Sequence, residues 1–284
     1  MRYCYINGLY KNKIEAKVSI EDRGFNFADG VYEVMSFFNS NLINYPKHIS
    51  RLERSLGSLK IRMPFKNTKS LELIIKRLMH INRLSNGFLY LQITRGTAKR
   101  NHLFPKLTKP NIVVFLFSLK YDEKIFDKGV NICLTKDIRW GRCDIKSISL
   151  LPNVLEKQNA FENGFFESWQ TRNNIVTEGA TSNAFIVNKQ NEIQTHPLNN
   201  FILGGVTRDT MIEVAKKNNF KIKEKAFTIN ELFDSKEAFL TSTTAKILPV
   251  VRINQKKVNN GKPGEITQTL IKKYNEFLKF QINE

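Results

Sequence analysis

A lysine, an acid and two stretches able to hold an anion are the residues here whose types and spacing suggest chemistry. Lys146 lies in GRCDIKSISLLPN (141–153), between Ile145 and Ile148 and close in sequence to Arg139 and Arg142. A lysine becomes a nucleophile where desolvation or neighbouring cations favour the free amine. By itself a lysine is more often a solvated surface residue. Glu178 lies in VTEGATSN (176–183), before Gly179 and a run of hydroxyl and amide residues. That pattern reads as an ordinary turn, or as a carboxylate at a tight turn where the backbone approaches a ligand and the acid pairs with a cationic ring nitrogen.

Two stretches suit a phosphate. In ILGGVTRDTMIEVA (202–215), paired glycines precede Val206-Thr207 and a helical pattern. Backbone N–H groups at such a helix start, together with the helix dipole, form an anion site. In LTSTTAKILP (240–249), four hydroxyl residues in a row, Thr243 among them, can donate further hydrogen bonds. Gly-rich helix starts and Ser/Thr turns are each common, so neither is specific alone. Arg51 follows Pro46-Lys-His48 by one turn and can grip a phosphate with two parallel bonds, or be an exposed helix arginine. TRGTAKRNHLFP (94–105) gathers Arg95, Arg100 and His102 in a Gly- and Pro-bounded loop, where Arg100 and His102 flank an asparagine and can meet a carboxylate.

The elements that must position these residues are mixed along the chain. CYINGLY carries an Asn-Gly pair between apolar residues, a hairpin signal. Ile49, Leu52, Leu56 and Leu59 recur at helical spacing within 46–61. Thr68 is placed to cap a second helix that buries Leu71, Ile74, Ile75, Leu78 and Ile81. Strands are predicted at 88–94, 112–119, 130–135, 165–170, 183–187, 238–242 and 247–253. Helices are predicted at 152–163, ended by Gly164, and near 207–218 and 264–280. Asp144, two residues before Lys146, would share its face on a strand and gets no catalytic role. The sum is an α/β (α+β) chain with a small N-terminal domain (1–119), a polar linker (120–129) and a larger C-terminal domain (130–284).

The 284 residues can bury a sizeable core, and 41% hydrophobic content fits a globular protein. No apolar run reaches membrane-spanning length, and the start lacks the apolar core of a secretory signal. Three cysteines, Cys4, Cys133 and Cys143, show no C-x-x-C spacing. They argue against a disulfide framework or a metal site and point to a reducing, cytoplasmic setting. The formal charge of +19 raises nucleic acid as a partner. The lysines, however, are scattered beside Asn and Ile with no dense basic block, so neither nucleic acid nor membrane is expected.

Taken together, DRGFNFADGVYEV (22–34), HISRLERS (48–55), TRGTAKRNHLFP, RCDIKSISLLPNVL, VTEGATSN, GGVTRDT and TSTT resemble, in order and spacing, the fold-type IV pyridoxal-phosphate enzymes. These include D-amino-acid transaminases, branched-chain aminotransferases and aminodeoxychorismate lyases. The resemblance implies a two-domain fold with pyridoxal 5'-phosphate between the domains and Lys146 as its covalent anchor. It further implies Glu178 at the pyridine nitrogen, with Arg51, the Val206 N–H, Thr207 and Thr243 around the phosphate. Tyr32 matches a tyrosine near the substrate carboxylate. Arg100 and His102 match the R-x-H pair of the D-amino-acid transaminases, which the neighbouring subunit of a homodimer supplies. The implied reaction is ping-pong exchange between D-alanine and 2-oxoglutarate.

Three positions depart from the pattern. Gly204-Gly205 stands where many relatives have Pro-Gly, Lys246 where an acid is frequent, and Pro152 where others carry Gly. The lysine and acid serve equally an L-specific branched-chain aminotransferase or a lyase, and a basic nucleic-acid binder on this fold is the non-enzymatic alternative.

Overall fold

A nine-residue strand whose inward positions read Val31, Glu33, Met35 and Phe37 organises the first part of the structure. The computed structural model describes residues 1–119 and 124–283. They fall into two units. The first is Met1–Leu119 with Ile145–Ser149. The second is Lys120–Asp144 with Leu150–Glu284, of which 120–123 and 284 lie outside the described residues.

The first unit contains β1 (Tyr3–Ile6), β2 (Leu9–Asn12), α1 (Arg23–Phe27), β3 (Gly30–Phe38), β4 (Asn41–Leu42), α2 (Tyr45–Ser58), α3 (Thr68–Asn82), β5 (Gly87–Thr94) and β6 (Asn111–Phe117). Its six-stranded sheet runs β2-β1-β6-β5-β3-β4. Asn7 and Gly8 both adopt positive φ, 47° and 97°, which closes the expected two-residue hairpin. Ile49, Leu52 and Leu56 of α2 and Leu71, Ile75 and Leu78 of α3 pack on the inward face of β3, β5 and β6. Each such fully buried leucine contributes about 1.5–3 kcal/mol by leaving water. The cap of α3 is Asn67, whose side chain accepts from the Ser70 N–H at 2.9 Å. Thr68, expected to cap, is the first helical residue instead. Asn67 is extended at φ −156°, the backbone an N-cap needs.

Ile145–Ser149 closes the free edge of β3. Ser147 bridges Val31, the Tyr32 N–H donates to the Lys146 carbonyl at 3.0 Å, and the Ile148 N–H donates to the Gly30 carbonyl at 3.1 Å. Ile145 is buried in the core of this unit. These contacts place the five residues with the first unit, although they lie beyond the 1–119 boundary read from the sequence.

The second unit contains α4 (Lys124–Lys128), β7 (Val130–Lys136), α5 (Leu151–Glu162), β8 (Glu167–Arg172), β9 (Ile175–Gly179), β10 (Asn183–Val187), β11 (Ile193–Thr195), α6 (Val206–Lys217), β12 (Ile222–Glu224), β13 (Phe227–Thr228), α7 (Ile229–Phe233), β14 (Glu237–Ser242), β15 (Lys246–Ile253), β16 (Lys256–Lys257) and α8 (Glu265–Asn283). The strands form one sheet in the order β12-β11-β10-β14-β15-β7-β8-β9-β13, with β16 on β15. Helices α6 and α8 pack on β14, α8 also on β15, and α5 covers β8. Of the expected linker, 120–123 lies outside the described residues. Residues 124–128 form α4, which Gly129 ends at φ +72°. The three cysteines are buried and unpaired. Among the described residues, no helix is long and apolar enough to cross a membrane.

Candidate active site

In the first unit the site is built around β3 and α2. Glu33 is the one polar member of the inward stripe of β3 and is fully buried. A carboxylate there needs cationic or hydrogen-bond-donating partners. One turn of α2 supplies them: Arg51 donates from Nε to Oε1 at 2.8 Å and from Nη2 to Oε2 at 2.7 Å. His48, three residues earlier on the same helix face, places Nδ1 2.8 Å from Oε2. Burial alone would raise Glu33, but the Arg51 charge, with hydrogen bonds from Arg51 and His48, overturns that and holds it at about 2. Burial pushes His48 below its ordinary value against the pull of Glu33, so the ring is a neutral Nδ1–H donor.

Lys146 joins this cluster through its backbone and its side chain. Its N–H donates to Ser55 Oγ of α2 at 3.3 Å, and its Nζ sits 4.0 Å from the centre of the Tyr32 ring. The lysine is half-buried, and its charge is among those that disfavour protonated His48. Residues around Lys146 are held by one bridge and are not a regular strand. The shared face expected for Asp144 therefore does not apply; Asp144 pairs with Arg142 at 2.9 and 3.0 Å. Tyr32 points to the other face of β3 from Glu33 and stacks on Tyr90 at 5.7 Å. Arg51, read alone as an exposed helix arginine, is only 7% exposed. Arg100 and His102 are both exposed, and both lie against the Phe27 ring, at 5.1 and 5.3 Å.

The second unit holds the acid. Glu178 is on β9, two residues before the bend that begins at Ala180 and not in the turn where it was expected, and is 4% exposed. Its Oε1 accepts from Arg139 Nη1. Its Oε2 accepts from Asn183 Nδ2 at 2.9 Å and from the Leu203 N–H at 3.0 Å. Arg139 is shared: it also donates to both oxygens of Asp137, at 2.9 and 2.8 Å. Asp137 would be raised by burial, but Arg139 and Arg172 hold it at about 2. With Arg139 divided between two acids, Glu178 is under-compensated, and burial pushes it up to about 7 against the Arg139 charge.

Asn183 links the acid to the helix start. Its Nδ2 also donates to the Leu203 carbonyl at 2.9 Å, and a Cβ on Gly205 would fall 2.1 Å from its Oδ1. Glycine is therefore required at 205 for this approach. Gly205 is the N-cap of α6 and gives no side-chain cap, while Val206 and Thr207 behind it are each 5% exposed. A buried, uncapped helix start needs an acceptor for its first N–H groups. Tyr274 of α8 hydrogen-bonds Thr207 and is pushed up to about 12 by its burial. Thr243 lies in the turn between β14 and β15, two residues past Thr241, the pairing partner of Asn183.

The structure thus gathers Lys146, Tyr32 and Arg51 in one unit and Glu178, Val206, Thr207 and Thr243 in the other. The sequence reading missed Glu33 and Asn183, and noted Arg139 only as a neighbouring cation. Asp137-x-Arg139, an acid and a base two apart before Lys146, was a readable signal; the bond from Arg139 to a residue 39 positions on was not.

The two acids give opposite acid–base linkage. Glu33 ionises near 4.5 when unfolded and about 2 when folded, so its contribution is present above 4.5 and lost as pH falls toward 2. Glu178 keeps its proton to about 7 when folded. Between 4.5 and 7 unfolding therefore releases a proton, and the cofactor-free protein loses stability as pH rises. Urea melts of cofactor-free protein at pH 5 and pH 7 test this. Glu178→Gln should flatten the decline, and an equally steep decline in that variant would contradict the assignment.

Known proteins share this architecture. Branched-chain aminotransferases from Thermoproteus uzoniensis (TM-score 0.87, 22% identity, 98% of this chain and 95% of that one) and Escherichia coli (TM-score 0.86, 21% identity, 95% and 92%) have the same fold. Both units are of mixed α/β structure; the first carries the half-buried lysine, the second the buried acid and the helix start without a side-chain cap. Residues 30–253 match the class IV amino-transferases, and the chain belongs to that pyridoxal-phosphate-dependent family. Two proteins called D-alanine aminotransferase are similar over nearly the full length. That of Bacillus licheniformis is 40% identical over 264 residues (93% of each chain), and that of Staphylococcus aureus strain MSSA476 is 38% identical over 280 residues (98% of this chain, 99% of that one).

The residues present fit pyridoxal 5'-phosphate on two observations. The under-compensated Glu178 suits a cationic ring nitrogen, and the uncapped start of α6 suits a phosphate.

Proposed function

We propose that the chain is a D-amino-acid transaminase that exchanges D-alanine with 2-oxoglutarate, giving pyruvate and D-glutamate, and that it works as a cytoplasmic homodimer. When bound, pyridoxal phosphate supplies an aldehyde carbon for the amino group and a ring that withdraws electrons from the substrate's α carbon. Lys146 Nζ would anchor the cofactor and, once free, would take the substrate's α-proton, hold it and later return it. Glu178 holds the positive charge at the ring nitrogen. The N–H of Val206 and the hydroxyls of Thr207 and Thr243 hold the phosphate, and Arg51, fixed by Glu33, adds its charge. Tyr32 packs beside Nζ and orients the substrate.

The observation that carries the choice of a D-substrate is the loop that presents Arg100 and His102 together against Phe27. Both side chains are exposed on their own chain, which suits donation to the site of a second copy. The face of the first sheet away from α2 and α3 carries stacked, half-buried rings, Tyr90, Phe115, Phe88 and Phe117, of the kind a homodimer covers.

A panel of D-alanine, L-leucine and aminodeoxychorismate, with 2-oxoglutarate as acceptor for the two amino acids, tests the assignment by its products. Pyruvate and D-glutamate from D-alanine, with no turnover of L-leucine, are the expected outcome. Preferential turnover of L-leucine, or pyruvate formed only from aminodeoxychorismate, would overturn it.

A further inference from the structure

Four side chains of the motif DRGFNFADG at 22–30 are held in a network that ends at the proposed substrate clamp. Asp22 caps α1, accepting from the Phe25 N–H at 3.2 Å, and also accepts from Thr94 Oγ1 at 2.6 Å and Asn111 Nδ2 at 2.7 Å. Asp29 binds two buried arginines. Arg23 donates from Nε at 2.8 Å, and Arg95 donates from Nε at 2.7 Å and Nη2 at 3.0 Å.

Each arginine then reaches the loop that carries Arg100 and His102. Arg23 Nη1 donates to the carbonyl of Asn101 at 2.6 Å and lies 3.4 Å from that of Leu103, the two residues on either side of His102. Arg95 lies 3.6 Å from the centre of the Phe104 ring. Phe27, in the same motif, has the Arg23 guanidinium 4.7 Å from its ring and carries Arg100 and His102 at 5.1 and 5.3 Å.

Exposed loops are ordinarily mobile. A guanidinium that is 4% exposed and spends its donors on one acid and two loop carbonyls is, in contrast, a fixed brace. Burying a permanent charge is worthwhile only where its bonds are made, and these bonds fix the peptide segment that aims His102.

We propose that Arg23 is a positioning residue for substrate recognition: it and Phe27 pre-set Arg100 and His102 to receive the carboxylate of an α-amino or 2-oxo acid. The role rests on the transaminase reading above and deepens it, because the clamp is then assembled within one chain before any substrate arrives. Pre-set groups lose less freedom on binding, so loosening the brace weakens substrate capture more than turnover.

The test is a double-mutant cycle on full-length, cofactor-loaded enzyme with D-alanine and 2-oxoglutarate. Arg23→Lys keeps the charge beside Asp29 but cannot span the acid and both carbonyls. It should raise KM for D-alanine about tenfold, the scale of one charge-assisted bond, with kcat within about threefold of wild type. Cofactor absorption should be unchanged. Arg100→Ala should also raise KM, and adding Arg23→Lys to it should raise KM little further, since the brace then has less to aim. Phe27→Leu leaves the Asp29 cluster in place and should raise KM roughly two- to fivefold through the lost ring contacts.

If Arg23→Lys cannot be loaded with cofactor, Phe27→Leu decides in its place: a raised KM supports the brace and a wild-type KM overturns it. A wild-type KM in Arg23→Lys, or an effect that adds in full to Arg100→Ala, overturns the positioning role while leaving the transaminase reading intact. A wild-type KM in Arg100→Ala removes the clamp itself, and the positioning role with it.

Discussion

Lys146→Ala is expected to lower kcat by a factor on the order of 10⁴, because in the proposed reaction one side chain supplies both the nucleophile and the proton carrier. The fold should survive the change. The bonds that seat residue 146 use its main chain, from the Tyr32 N–H to its carbonyl and from its own N–H to Ser55 Oγ. What is lost is Nζ and its contact with the Tyr32 ring. Steady-state kinetics measure the loss. Borohydride treatment of the loaded protein, followed by peptide mass mapping, should find the pyridoxyl label on the peptide containing Lys146 in wild type and no label there in the variant. Near-normal turnover in the variant would refute the role of Lys146.

Glu178→Gln is expected to lower kcat roughly 10²–10³-fold, the scale of removing one preorganised electrostatic partner from a buried site. The amide is close in shape to the acid, and its single oxygen can still accept from Asn183 Nδ2 and the Leu203 N–H, while its NH2 cannot accept from Arg139 and the charge is gone. Arg139 retains Asp137 and the Phe201 carbonyl as acceptors, so the substitution does not strand a buried cation. The borohydride label on Lys146 should persist. That separates the two roles: one variant loses the anchor, the other keeps the anchor and loses the turnover. A kcat within about twofold of wild type in Glu178→Gln would show that no charge is needed at that atom.

Much of this was legible in the sequence wherever the signal was local. Asn7-Gly8 gave its hairpin, the apolar spacing gave α2, α3 and α8, and Gly205 before Val206 marked a helix start. Local spacing misled where competing residues could do the same task, as when Asn67 capped α3 in place of Thr68. What sequence could not supply were pairings made in space. Glu33 looks like an ordinary polar residue until α2 brings His48 and Arg51 onto it. Arg139 belongs to Glu178 only because β7 and β9 both flank β8. Ile145–Ser149 belongs to the first unit because an edge of β3 was open to it, which no linker composition reveals. The same holds for Arg23, whose partners at 101 and 103 are far along the chain.

The central claim, that Lys146 serves a site selective for D-amino acids, is tested most directly by a single-turnover half-reaction. Cofactor-loaded protein is mixed with D-alanine or L-leucine without any oxo-acid acceptor, and the visible absorption of the bound cofactor is followed together with the oxo acid released. The expected result is loss of the yellow band with D-alanine, one pyruvate released per bound cofactor, and an unchanged band with L-leucine. Bleaching by L-leucine with none by D-alanine would contradict it.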